Sequence, residues 1–481
     1  MTDEILTVRL HQADNVVTAK QTIAPAMAVP GEAVSTTDEI PVGHKVATTG
    51  IASGEPVRKY NQIIGFASQD IAPGAHVHTQ NVEMKAFERD YAYGVDVRDT
   101  GLVPEADRAT FQGIVRADGR VATRNYIGII SSVNCSATVA KYIADAFRGD
   151  ALAEFPNVDG VVALTHGSGC GMSNYGIGWE FLQNTLNGYK SHPNFAGIVA
   201  VGLGCEVNQI AGMVEQHGWQ TGKMLSTMTI QDTGGTRKTV EEGIARIRDM
   251  LPEANKVERQ TVPASHLILG LECGGSDAYS GITSNPALGA AADLLVRHGG
   301  TAVLAETPEV YGAEHLLTRR AVSKAVGDKL VKHILWWEEY AEKHGAELNN
   351  NPSPGNKAGG LTTILEKSLG AVAKGGTTNL VDVYQYGEPI TEKGFCFMNT
   401  PGYDVTSVNG MVAGGANVVC FTTGRGSAFG CKPTPSLKLA SNSAMYQRLE
   451  EDMDVNCGPV VDGDASVEEI GERIFRKILA A

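Results

Sequence analysis

Several common signatures are missing from this chain, and each absence narrows what it can do. It has no basic excess: 40 Lys and Arg stand against 54 Asp and Glu, a formal net charge of -14. Nonspecific nucleic-acid binding needs a basic surface, so no nucleic-acid partner is expected. A small anion is still possible, because local Arg and Lys can dominate one pocket. No apolar run approaches the ~20 residues of a membrane helix, so no membrane partner is expected. The opening M-T-D-E-I-L-T-V lacks a basic stretch followed by an apolar one, and the expected location is cytoplasmic. None of the eight cysteines (135, 170, 205, 273, 396, 420, 431 and 457) forms a C-x-x-C pair. Zinc-ribbon and thioredoxin readings therefore lose their usual support, and scattered cytosolic thiols stay reduced. Finally, G-x-x-x-x-G-K-[ST] is absent. H-G-S-G-C-G, G-L-G-C-E-V and G-R-G-S-A-F-G all miss the dinucleotide spacing.

Glycine is abundant, at 56 of 481 residues, which points to many turns and close backbone approaches. The length implies two to four domains. Residues 1–95 are rich in Val, Thr, Pro and Gly and repeat a phrase: I-A-P-A-M-A-V, I-A-S-G-E-P-V, I-A-P-G-A-H-V. Recurrent turn-then-strand units predict a small all-β domain there, followed by a polar linker over 96–110. Beyond Phe111 the pattern becomes strand, turn, helix, which predicts two mainly parallel α/β domains at 111–255 and 256–481. The stretch 349–360, N-N-N-P-S-P-G-N-K-A-G-G, reads either as a disordered linker or as a functional loop.

In four of these units a Cys follows the strand and precedes a helix: Cys135, Cys170, Cys205 and Cys273. In parallel sheets that edge is where ligands bind. Helix N-termini favour thiolates, which suits metal ligation or acid–base work. His166, in T-H-G-S-G-C-G, has the residue chemistry of a general base, or is a structural histidine. Glu206, Glu272 and Asp277 are carboxylates at glycine turns and act in chemistry or as helix caps. His76 and His78, two apart in G-A-H-V-H-T-Q-N, face one way in a strand and suit one metal, or are a polar edge. Arg124, Asn125, Lys357, Arg425 and Lys438 are candidates for holding a carboxylate, with surface ion pairs as the plain alternative for the arginines.

Several longer stretches carry a resemblance: G-A-H-V-H-T-Q-N, R-A-D-G-R-V-A-T-R-N-Y, G-L-G-C-E-V-N-Q, L-E-C-G-G-S-D-A-Y-S-G-I-T-S-N-P, N-P-S-P-G-N-K-A-G-G and T-T-G-R-G-S. In this order they resemble the altronate/galactarate dehydratases. The resemblance implies a SAF (β-clip-like) domain followed by two Rossmann-like dehydratase domains. It also implies a divalent metal, Fe2+ or Mn2+, and a 2-keto-3-deoxy sugar acid as product. Members of the family often read H-V-H-x-H-N, and this chain has Gln80 at the third histidine's place. The expected site has His166, Cys170, Glu206 and Asp277 in catalysis. Arg124, Asn125, Lys357, Arg425 and Lys438 would hold substrate. His76 and His78 would hold the metal, with Cys205 and Cys273 as further candidates. An iron–sulfur cluster is the alternative cofactor. A sulfo-lyase acting on a sulfonated hydroxy acid is the alternative enzyme, and a non-catalytic sugar-acid binder is the distant one. A homodimer is expected.

Overall fold

The computed structural model describes residues 6–85 and 89–481. The first module is built from short antiparallel strands: β1 (Thr7–Val8), β2 (Val16–Ala19), β3 (Lys45–Ala47), β4 (Pro56–Lys59), β5 (Gln62–Ala67), β6 (His76–Val77) and β7 (Val82–Glu83). They form two sheets, ordered β1-β2-β3-β6 and β4-β5-β7. The repeated I-A phrase marks positions that bury its isoleucine: Ile23 bridges Ile40, Ile51 bridges Ile71, and all four are at most 3% exposed.

A strap of chain follows and is pinned to the C-terminal domain rather than free. Arg89 pairs with the buried Glu314 at 2.7 Å, and the Tyr91 hydroxyl donates to the same oxygen at 2.7 Å. Arg319 pairs with Asp96 at 2.8 Å, and the Asn379 amide donates to the Arg98 carbonyl at 2.6 Å. A buried carboxylate leaves its partner little freedom, because an unpaired charge there is costly.

β8 (Thr110–Val115) leads into the second domain, with β9 (Val121–Ala122) beside it. That domain's sheet has β10 (Tyr126–Ser131), β11 (Gly160–Leu164), β12 (Phe195–Gly202) and β13 (Leu225–Thr229), all parallel in the order β11-β10-β12-β13. β14 (Gln260–Pro263) leaves the domain by pairing antiparallel with β8. The C-terminal sheet is parallel and seven-stranded. Its strands are β15 (Ile268–Cys273), β16 (Thr301–Leu304), β17 (Leu380–Tyr384), β18 (Gly394–Met398), β19 (Val418–Thr423), β20 (Ser436–Ala440) and β21 (Val455–Asn456). They run in the order β17-β18-β16-β15-β19-β20-β21. Helix Ser284–Arg297 packs on this sheet together with the C-terminal helix Val467–Ala480, whose capping box at Ser466 and Glu469 fixes its start.

The stretch 349–360 is ordered, and its linker reading does not survive. It holds helix Pro354–Ala358, capped by Ser353 and Asn356, and the Asn356 amide donates to the Ser276 carbonyl at 2.8 Å.

The second and C-terminal domains meet through helices Ile177–Ser191 and Asp404–Ala413, where a Cβ on Gly188 would lie 2.2 Å from the Ala413 carbonyl oxygen. At this junction His192 is buried, with Nε2 donating to the Ala416 carbonyl at 3.0 Å and Nδ1 accepting from the Asn194 N–H at 3.1 Å. Burial holds its pKa down at about 4, against 6.5 when solvated. The unfolded chain therefore takes up this proton first as the solution is acidified. The contribution is complete above pH 6.5 and is lost as pH falls from 6.5 to about 4, roughly 3 kcal/mol in all. Urea unfolding at pH 7, 6, 5 and 4 should show this slope, and His192→Gln should make it shallower. An equal slope in both proteins would contradict the assignment.

Candidate active site

Three imidazoles converge at one end of the first module. β3 and β6 pair with Val46 opposite His76, which sets His44, just before β3, beside His76 and His78. The His76 and His78 rings lie 5.6 Å apart, 7° from parallel, and His44 is 4.5 Å from His78. One ring nitrogen from each falls within 4.8 Å of the others. His44 Nε2 faces the Ala358 carbonyl at 3.3 Å, and a carbonyl can only accept. The hydrogen thus sits on Nε2, and the Nδ1 lone pair points at His76 Nε2, 3.0 Å away. His78 Nδ1 is buried with no partner. Burial, reinforced by neighbouring positive groups, lowers all three pKa values, to about 4 for His76 and about 3 for His78. Neutral imidazoles with inward lone pairs, one oriented by a carbonyl and one orphaned, are the donor set a divalent metal takes. The Gln80 amide bonds the His76 carbonyl instead, at 3.1 Å. The third imidazole is His44, which is distant in sequence and was missed.

This end of the module is seated on the C-terminal domain. Lys45 donates to the Gly360 carbonyl at 2.7 Å, and Lys45 and Lys59 both pair with the buried Glu366, at 2.9 and 3.0 Å. Burial pushes Glu366 up, but the two ammonium groups outweigh it and hold the carboxylate far below its usual range. The Tyr279 hydroxyl donates to the Ala19 carbonyl at 2.8 Å. The three histidines therefore abut segment 357–360 and the turn after β15.

That turn, C-G-G-S-D, needs its glycines. A Cβ on Gly274 would lie 2.0 Å from Asp404 Oδ2 and 2.6 Å from the Phe421 ring, and Gly275 has φ +62°. Asp404 and Arg425 approach the turn closely because side chains are missing there. Gly274→Ala should destabilise by about 1–3 kcal/mol and lower turnover at least tenfold, as Asp404 is pushed aside. Gly212→Ala, where the added Cβ meets nothing within 4 Å, is the control. Thermal melts and steady-state kinetics on the two variants check this, and unchanged turnover in Gly274→Ala would refute it.

Behind the turn lies a buried acid–lysine cluster at the carboxyl ends of β15 and β16. Lys374 donates to Cys273 Sγ at 2.9 Å and pairs with Glu306 at 3.3 Å. Lys367 pairs with Glu309 at 2.5 Å, and Asn351 donates to that carboxylate at 2.7 Å. Glu272 accepts from the Ser407 hydroxyl at 2.7 Å. Its Oε1, and Oε1 of Glu306, are buried without a partner, which a proton shared between the two carboxyls would relieve. Burial and the neighbouring carboxylates raise both, Glu306 to about 7. Glu306 also sits at φ +64°, a backbone conformation that a non-glycine holds only under constraint. One oxygen each from Glu272, Glu306 and Asp404 lie within 4.8 Å of one another. Apart from Glu272 and Cys273, none of this cluster was identified from the sequence. The available signal was charge inside apolar runs, such as Glu366 and Lys367 in a helix (Ile364–Val372) buried along its whole length.

The remaining sequence candidates fall in several places. Asp277 is buried and accepts from Ser280, Ser441 and Asn442, so it braces the turn. Lys357 and Arg425 flank it and make no side-chain hydrogen bond among the described residues. Lys438 donates to the Ser436 carbonyl at 2.7 Å. Arg124 donates to the carbonyls of Thr123 and Ala481. Asn125 is buried and donates to the Asn157 and Ala254 carbonyls. Both ring nitrogens of His166 are engaged by backbone, Nε2 with the Ser131 carbonyl at 3.0 Å and Nδ1 with the Ser168 N–H at 3.2 Å. Glu206 accepts from the Ser132 hydroxyl at 2.6 Å and from two N–H groups. Cys170 and Cys205 lie at the exposed edge of the second domain's sheet, and Cys273 lies in the acid–lysine cluster. Neither Cys205 nor Cys273 joins the histidines.

Three family models cover nearly the whole chain: the altronate/galactarate dehydratase SAF domain over 5–85, the D-galactarate dehydratase/altronate hydrolase second domain over 113–255, and the D-galactarate/altronate dehydratase C-terminal domain over 264–481. The chain belongs to the altronate/galactarate dehydratase family. It is 35% identical to altronate dehydratase of Bacillus subtilis (strain 168) over 472 residues, 96% of this chain and 92% of that one. It is also 35% identical to galactarate dehydratase (L-threo-forming) of Escherichia coli (strain K12), over 92% of this chain and 86% of that one. A more distant relative, at 28% over 77% of this chain and 92% of its own, is (2R)-sulfolactate sulfo-lyase subunit beta of Chromohalobacter salexigens. Family membership accounts for the SAF module that opens the chain. No helix among the described residues is long and apolar enough to cross a membrane.

Proposed function

We propose that this member of the family is a metal-dependent hydro-lyase. It removes water from a sugar acid such as altronate or galactarate and yields the 2-keto-3-deoxy acid. The observation that carries this reading is the convergence of three neutral imidazoles, one with an orphaned buried nitrogen, on the segment that bears Lys357. His44, His76 and His78 would hold the metal, which supplies Lewis-acid polarisation of carboxylate and hydroxyl oxygens. Fe2+ or Mn2+ suits such a donor set. The two α/β domains are read as Rossmann-like, with substrate at the carboxyl ends of the C-terminal strands.

The chain's own groups then divide the work. Lys357 and Arg425 are uncommitted cations beside Asp277 and bind the substrate's acid groups, the guanidinium as a fork. Asp404, half-buried and raised by burial, stands at the mouth of the acidic cluster and takes the proton beside the carboxylate. Behind it Glu306, raised to about 7 by burial and neighbouring carboxylates, and Glu272, raised by burial, can pass that proton on. What favours Asp404 over His166 as base is that both His166 nitrogens are already bonded. Glu206 and Cys170 act in the second domain's turns rather than at the reacting carbon. The 3-hydroxyl leaves as water and the enol tautomerises to the ketone.

The test is turnover by chelator-stripped protein, kept anaerobic and refilled with iron, manganese, magnesium or nothing. The panel is altronate, galactarate and sulfolactate. Keto-acid formation from one sugar acid, restored by iron or manganese, is the expected result. Sulfite release would move the chain to the sulfo-lyase reaction of its more distant relative. Full activity without metal would overturn the metal assignment. Metal-loaded protein silent on the whole panel would overturn the reaction.

A further inference from the structure

Three thiols outside this site share one place in the second domain. β11, β10 and β12 are adjacent and parallel, and each runs into a turn carrying a cysteine at the same edge: Cys170, Cys135 and Cys205. All three are free and exposed, whereas Cys273, Cys396, Cys420 and Cys457 are buried. Burial is the ordinary fate of a thiol that only packs.

The turns are tied to one another. The Asn134 N–H donates to the Ser168 carbonyl at 2.8 Å, the Val207 N–H to the Cys170 carbonyl at 3.0 Å, and the Asn208 N–H to the Gly169 carbonyl at 3.1 Å. Asn208 also reaches the Ser132 carbonyl at 2.8 Å, and the Ser132 hydroxyl donates to Glu206. Gly169 has φ +93°, and a Cβ there would lie 2.3 Å from the Ser132 carbonyl oxygen. The three thiols are thus presented by one rigid, cross-braced edge. The Cys135 thiol pKa is raised, by desolvation first and then by a hydrogen bond and charge from Cys170, with Cys205 and Glu206 adding smaller effects.

We propose that Cys135, Cys170 and Cys205 form a three-thiolate site for a [4Fe–4S] cluster, separate from the three-histidine site. The donor set is all sulfur, because His166 and Glu206 at the same edge are already satisfied by backbone and Ser132, and thiolate sets select iron–sulfur centres and other soft metals. The spread of the sulfurs decides between a cluster and one ion. The His/Cys/Asp/Glu groups whose ligand atoms all lie within 4.8 Å of one another do not include these three. A single tetrahedral ion needs its sulfurs close together, since each is ~2.3 Å from the metal. A cluster places its own iron and sulfide between them. Three thiolates on four irons leave one iron without a cysteine, open to water or a small oxygen donor at the sheet's ligand-binding edge.

The experiment uses the full chain, reconstituted anaerobically with equal ferrous and ferric iron, sulfide and a thiol, then desalted. The expected result is about four acid-labile sulfides per chain, with matching iron and a visible charge-transfer band. In the same preparation, alkylation mapped by mass spectrometry should spare Cys135, Cys170 and Cys205. C135S, C170S and C205S should each lose sulfide while keeping the wild-type melting temperature, and C457S should retain it. His78→Asn should also keep the full sulfide content, which separates this site from the one proposed for dehydration. Iron or zinc bound by these thiols without sulfide would mean a single-ion site and overturn the proposal. Absence of sulfide from the wild-type chain, or its retention in the triple serine variant, would do the same.

Discussion

Replacing His78 by asparagine is expected to lower kcat/KM about a thousandfold and to release the metal on desalting. Among the described residues the ring makes no hydrogen bond. Its Nδ1 is buried without a partner, and burial keeps it neutral over the working pH range. The backbone N–H of His78 already bonds the Asn81 side chain at 3.0 Å, a contact the substitution keeps, so the module should fold normally. Metal content by elemental analysis, kinetics with and without added metal, and a thermal melt together distinguish the outcomes. A variant that holds one metal per chain and turns over at the wild-type rate would remove the three-histidine site from the reaction.

Glu366→Gln carries the largest expected stability change, about 3–5 kcal/mol. Among the described residues Glu366 is the only carboxylate paired with both Lys45 and Lys59, and all three side chains are at most 1% exposed. The amide can still accept hydrogen bonds, but two buried ammonium groups would lose their counter-charge. The effect should appear as a separate, lower-temperature transition of the SAF module, because the lysines lie in that module and the carboxylate lies in the C-terminal domain. Differential scanning calorimetry reads it directly. Lys45→Met added to Glu366→Gln should recover part of the loss, since one stranded charge is removed. A single unshifted transition in Glu366→Gln would show that the pair contributes little to docking.

How much of this was readable beforehand depended on sequence distance. β10, β11, β12 and β15 announce themselves as apolar runs, and the change of texture is read near residue 95, whereas the SAF family model ends at 85 and the strap from Arg89 is pinned to the C-terminal domain. β18, Gly394–Met398, is an equally buried run, yet its five residues carry no period that separates strand from helix. His76 and His78 are neighbours in sequence, so their shared direction followed from strand geometry. His44 stands alone in P-V-G-H-K-V, and only the antiparallel pairing of β3 with β6 brings it to them. Glu306 and Lys374 lie at opposite ends of the long β16–β17 connection and Asp404 lies in the β18–β19 connection, so no local spacing can join them. His166 and Asn125 show a different limit. A histidine or asparagine after a strand has the right chemistry for a site and is just as suited to satisfying stray backbone groups, as both do here.

The pinned strap has a consequence for how the site assembles. Its first described residue, Arg89, is anchored to Glu314 only a few residues beyond the last strand of the SAF module, Val82–Glu83. A tether that short holds the imidazole-bearing half of the site near its seat at an effective concentration of about a millimolar or more. The half-site proposed for the metal and the half-site proposed for the substrate therefore behave as one molecule at any dilution. If the chain were nicked ahead of Arg89, the same enzyme would become a two-component system whose activity rises and falls with protein concentration.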